Sequence, residues 1–190
     1  MKQYLVIGVI NLISNVCLAQ HELDIISGFT VSNLKGVEQD VDTSPRFSWH
    51  GGVYGGLQLS KSFLIKSGLI YTMAGVRLPE VSFRFVNSTQ KMDYLDLPVL
   101  VTYRLKKFRF QAGPQFSFLI RASFEDQNIK EEFKNTYTGI RYGVSFYVSP
   151  AVTLQLHGTV SLTELNANPP PDQSITTYNF SVGFNPLRKE

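Results

Sequence analysis

His157 and Ser161 are the nearest this chain comes to a nucleophile with its base. An imidazole that takes a serine proton is the minimum for acyl transfer, and a membrane barrel could open such a pair to lipid. Nothing in the sequence completes it. His21 and His50 stand far from His157, and no glycine-rich phosphate loop, metal-ligand spacing or nucleophile motif accompanies them. Of the three, His157 is the one read as lying mid-strand on a polar face. A lone histidine there is ordinarily a hydrogen-bonded interior residue. The residue types point to a non-enzyme without metal or cofactor.

The remaining polar chemistry is a set of groups scattered singly among apolar residues: Asp24, Lys66, Asp96, Arg104, Arg109, Gln115 and Arg141, beside His157. Each needs an element that turns it away from its apolar neighbours. Residues 94–104 show what that element is. Leu95, Leu97, Val99, Val101 and Tyr103 fall on one face at period two, and Tyr94, Asp96, Pro98, Leu100, Thr102 and Arg104 on the other. Strict alternation over this length makes a strand, and about ten residues is what a tilted strand needs to cross a bilayer. Proline cannot donate to a ladder, so a local irregularity is expected at Pro98.

The design recurs along the chain. Leu23, Ile25, Phe29 and Val31 oppose Asp24 and Thr30; Trp49, Val53 and Leu57 oppose His50 and Tyr54; Phe63, Ile65, Leu69 and Tyr71 oppose Lys66 and Thr72. Beyond residue 104, Phe108, Phe110, Phe116 and Phe118 oppose Arg109 and Gln115. Ile140, Tyr142, Val144 and Phe146 then oppose Arg141. Leu154, Leu156 and Val160 oppose His157, and Tyr178, Phe180, Val182 and Phe184 oppose Asn179 and Ser181. Eight strands result. The connections after the second, fourth and sixth are tight, at 60–62, 105–107 and 149–150. The others are long and polar, at 33–47, 79–91, 121–136 and 163–176. Short turns at one end and long loops at the other mark an outer-membrane barrel.

Composition agrees. Charged residues make only 17% of the chain, below the ~25% of ordinary soluble domains. The net charge of +3 is dispersed and gives no case for nucleic acid. One domain fits 190 residues. The start is separate: Lys2, an apolar run over 4–13, then Cys17 and Ala19 as the small residues before Gln20 read as a cleaved secretory signal over 1–19. The approach Ser14-Asn15-Val16 is poor for lipid modification of Cys17. This sole cysteine leaves with the signal, so the mature domain, 20–190, holds no disulfide.

The expected fold is therefore all-β: an eight-stranded antiparallel up-and-down transmembrane β-barrel, preceded by a cleaved signal peptide. A closed barrel pairs every amide inside hydrocarbon, and eight strands leave an interior just filled by side chains, so no wide pore is expected. Trp49, Phe63, Tyr103, Phe108, Phe118 and Phe184 would form the interfacial girdles. The rival is a secreted lipocalin-like barrel, which is apolar inside and polar outside.

The motif Tyr94-Leu95-Asp96-Leu97-Pro98-Val99-Leu100 resembles the Tyr-Leu-(Glu/Asp)-Ile-Pro-Leu-Leu strand of the outer-membrane β-barrel proteins of Bacteroidota, the PorT-like group. Gly68-Leu69-Ile70-Tyr71-Thr72 and Gly113-Pro114 are similar to that family's third and fifth strands. The likeness covers residues 20–184. Residues 185–190 depart from it, since such barrels usually end on the aromatic that the assembly machinery reads. The resemblance implies an outer-membrane location and lends no single activity.

The function expected is that of a small non-enzymatic barrel in contact with outer-membrane lipid. It would act through its outer loops, or as an accessory in envelope assembly or secretion, with other envelope proteins as partners. A barrel holding or passing a small polar ligand is the alternative, and a water path past Lys66 and Arg109 would favour it. Inside, Asp96 and Arg141 are expected to bond directly, with Gln115 or a water beside them; the alternative is that strand shear brings Asp96 to Lys66 or Arg109 instead. Lys66, Arg104 and Arg109 have only Asp24 in likely reach, which predicts a wetter, more basic end.

Overall fold

The computed structural model describes residues 22–35, 44–77, 89–124, 127–165 and 173–187. The signal expected over 1–19, with its cleavage before Gln20, lies outside them. The strands are β1 (Glu22–Lys35), β2 (Ser44–Gln58), β3 (Phe63–Arg77), β4 (Thr89–Leu105), β5 (Phe108–Phe124), the two-residue β6 (Gln127–Asn128), β7 (Thr136–Tyr147), β8 (Val152–Ser161) and β9 (Ser174–Phe184). Each pairs antiparallel with its neighbours, β1 with both β2 and β9, and β4 with β5, so eight strands close a ring. The short β6 lies outside the ring as a flap on the end of β5. The connections at 59–62, 106–107 and 148–151 share one end, here the turn end, and the longer ones share the other, the loop end.

Period two carries through the strands except at bulges. Outward residues such as Ile25, Phe29, Val53, Leu69, Val101, Phe110, Leu156 and Phe180 are exposed, while their inward neighbours are buried. This polarity is the inverse of a lipocalin, and it removes that reading. All six expected girdle aromatics are exposed and outward. Phe63 stacks at 5.1 Å from Tyr103 and Phe108 at 5.1 Å from Phe146 near the turn end; Trp49 lies 6.4 Å from Tyr71 nearer the loop end.

The strands run further than the period-two pattern suggested. β4 and β5 each have 17 residues. A rise of ~3.3 Å per residue at ~40° tilt advances ~2.5 Å along the barrel axis, so each strand is ~43 Å tall against an apolar band of ~25 Å. Backbone pairing continues past the lipid, where alternation of side chains is no longer required. Several residues assigned to loops, among them Asn33, Leu34, Lys91 and Ala122, are therefore strand.

Pro98 interrupts the ladder without shifting it. Pairing of β4 with β3 lapses between Val99 and Asp96 and resumes in the same register. On the other edge of β4, pairing with β5 lapses between Pro98 and Val101, and there a Cβ on Gly113 would lie 2.1 Å from the Val99 carbonyl oxygen. Register shifts lie elsewhere: β2 has one against β3 between Pro45 and His50, and β4 has one between Asp93 and Tyr94 against Arg121 and Leu119. Ile120 and Arg121 both face outward across this bulge, and Ala122 returns to the interior.

The interior holds two apolar clusters. Ile26, Tyr54, Ile70 and Leu100 pack within the barrel, and a larger group fills the loop end around Met92, Tyr94, Leu119, Phe133, Leu165 and Ile175. Phe133 comes from the connection after β6, so that connection folds inward and stoppers the mouth.

Candidate functional site

All eight side chains marked out in the sequence point into the barrel, and seven are fully buried; Arg104, near the turn end, keeps about a quarter of its surface exposed. They do not form one network. At the turn end, Glu22 opens β1 and its carboxylate accepts from both terminal nitrogens of Arg109, one bond at 2.7 Å, and from Arg104 at 3.0 Å. Arg109 also lies 4.3 Å over the ring of Tyr147. Next to this group Asp24 accepts from Lys66 at 2.5 Å and from the Asn185 amide at 3.0 Å. The expectation that Asp24 alone would answer three cations there is corrected. Glu22 shares the inward parity of Asp24 and answers two of them. Asn185, just past the last strand, was equally unforeseen.

Higher in the barrel, Asp96 and Arg141 do not bond directly, contrary to expectation. Asp96 instead accepts from the Thr72 and Ser117 hydroxyls, each at 2.6 Å. Gln115 donates to Ser117 at 3.0 Å and accepts from Arg141 at 3.1 Å, so the two charges are linked through neutral groups. Strand stagger is the reason. Asp96 pairs with Ser117 on β5, but Arg141 pairs with Gly113, an offset of four residues, or about 13 Å along the strand. No Arg side chain spans that and keeps good geometry. With the Asn179 amide turned so that its oxygen faces Arg141, Asn179 accepts from both terminal guanidinium nitrogens at 3.1 and 3.2 Å and donates to Thr30 at 3.0 Å. Thr30 then meets His50 Nδ1 at 3.0 Å, and His50 Nε2 meets the Ser181 hydroxyl at 2.7 Å. His50 is thus a mid-strand interior histidine as much as His157, which the sequence reading did not allow.

The His157 and Ser161 pair does not assemble. His157 Nε2 meets Gln111 at 3.2 Å, while Ser161 accepts the Ile175 amide at 2.9 Å, and both face the interior rather than lipid. Among the described residues no three of His, Cys, Asp and Glu gather as a metal site would need. The arrangement holds buried charges in place.

Residues 19–167 match the family described as Outer membrane protein beta-barrel domain. The chain belongs to that family. Its home is the cell outer membrane, with the apolar outer face in lipid. Among solved structures, Neisserial surface protein A (NspA) is similar at TM-score 0.57 and 12% identity, over 85% of this chain and 96% of that one. The Ail attachment invasion locus protein of Yersinia pestis matches at TM-score 0.48 and 15% identity, over 87% and 99%. OprG of Pseudomonas aeruginosa matches at 0.48 and 10%, over 86% and 95%. At 12% identity the likeness to NspA is one of fold. No curated protein sequence matches the chain.

Proposed function

We propose that this protein is a non-enzymatic barrel that acts through its loop end, as a binding surface for other envelope or extracellular macromolecules. The carrying observation is the filled interior. Phe133, Leu165 and their neighbours close the loop end, and Lys66 and Arg109, which would line a water path, are each closed on a carboxylate. What remains to act is the surface that the loops present, including exposed Glu131, Glu132 and Lys134. An accessory role in envelope assembly or secretion is the form of this reading that the PorT-like, Bacteroidota-type motif at 94–100 supports. Residues 1–19 are proposed as the export signal. The test is a photo-crosslinking side chain at Glu131 in intact cells, against one at Lys61 in a turn. A discrete adduct from position 131 that disappears when 127–135 is replaced by Gly and Ser supports the reading. Adducts from position 61 alone refute it.

A further inference from the structure

At the turn end, between the β4–β5 turn and the segment after β7, a cavity of about 380 Å³ opens, lined by Arg104, Lys106, Lys107, Arg109, Tyr147 and Pro150 among others. That is within the ~300–1,000 Å³ of small-molecule sites. Four of these side chains are cationic, and among the described residues no carboxylate lines the cavity. Glu22 meets Arg104 and Arg109 from the barrel side, while Lys106 and Lys107 bring two exposed ammoniums to the wall from the β4–β5 turn.

Two further features narrow the ligand. Arg109 is fixed by its forked bond to Glu22 and by the Tyr147 ring, so its place beside the cavity is set before anything binds. With the Arg109 fork already closed on Glu22, the flexible ammoniums of Lys106 and Lys107 are the groups that reach a ligand, and two such point donors suit a tetrahedral oxyanion, whose several oxygens can each take a charge-assisted bond. The Phe63–Tyr103 and Phe108–Phe146 pairs lie just inside the turn. Such aromatic pairs mark headgroup depth in a membrane barrel, so the cavity opens where phosphate-bearing lipids and soluble phosphates both reach. We propose that this turn-end cavity binds a phosphate group.

The test uses the full chain purified in phosphate-free detergent, titrated calorimetrically with inorganic phosphate. The chain is then placed in nanodiscs of phosphatidylglycerol or of phosphatidylcholine, and cavity occupancy is read by phosphorus NMR. The variant is Lys106→Asn with Lys107→Gln; asparagine is chosen because Lys106 has φ +54°, a backbone that Asn tolerates. Lys61→Gln, in the neighbouring β2–β3 turn, controls for general surface charge. Saturable binding that falls at least tenfold in the double variant and stays within twofold in Lys61→Gln supports the site. If inorganic phosphate shows it, the ligand is soluble; if phosphatidylglycerol nanodiscs alone show it, the ligand is a lipid headgroup. Absence of saturable binding to either probe, equal binding by the double variant, or an equal loss in Lys61→Gln overturns it.

Discussion

Arginine at Val99 would have to sit in hydrocarbon. Val99 is outward and 37% exposed, while Leu100 beside it is wholly buried. Tyr103 marks the turn-side interface on the same strand, and Val99 lies four residues above it. At ~2.5 Å of axial advance per residue that is ~10 Å, close to the middle of a ~25 Å band. Arginine at a barrel midplane costs ~2–4 kcal/mol, and ~0–1 near an interface. Val99→Arg should therefore lower the folding constant ~30- to 700-fold, since ~1.4 kcal/mol is a factor of ten. Leu105→Arg, at the strand end, should change it less than about fivefold. Urea titration of folding into vesicles, followed by the gel shift of the unheated protein, measures both. Equal costs at the two positions, or a Val99→Arg protein as stable as the native one, would refute the depth and face assigned to β4.

Three other outcomes follow from the interior. Lys66→Met leaves Asp24 buried with Asn185 alone and should cost ~3–5 kcal/mol, most of it recovered in Asp24→Leu/Lys66→Met; a double variant as unstable as the single would contradict the pairing. Gly75 has φ +140°, and a Cβ there would lie 2.0 Å from the Gln90 carbonyl oxygen. Gly75→Ala should thus cost at least ~1–3 kcal/mol in the same titration, and an unchanged midpoint would show that β3 is built otherwise. Phe133→Ala should cost about 3 kcal/mol and speed amide exchange over 127–135, because Phe133 is buried in the loop-end cluster; unaltered exchange would mean that this connection does not dock.

Much of the barrel was legible because lipid demands a strict period. Val99 and Leu100, or Phe110 and Gln111, are assigned to opposite faces by alternation alone, and each lies where alternation puts it. Stagger between strands was not legible, since period two says which face a residue takes and nothing of its height. Asp96 and Arg141 were matched by apparent height and stand four residues out of register across β5. Glu22 was missed for a plainer reason: it precedes the first apolar residue of β1, although its parity with Asp24 would have turned it inward. The loop-end cluster was hidden twice, by treating Leu34 as loop and by the bulge at Ile120, which moves Ala122 onto the inner face.

In the proposed function the interior is closed at both ends, and the molecule works by its surface and not as a conduit. Conductance of the purified protein in planar bilayers tests it most directly. The filled lumen predicts no resolved current steps above the bare membrane in molar salt, with small steps emerging once Phe133 and Leu165 are both cut to Ala. Stable, ion-selective openings by the native chain would contradict it.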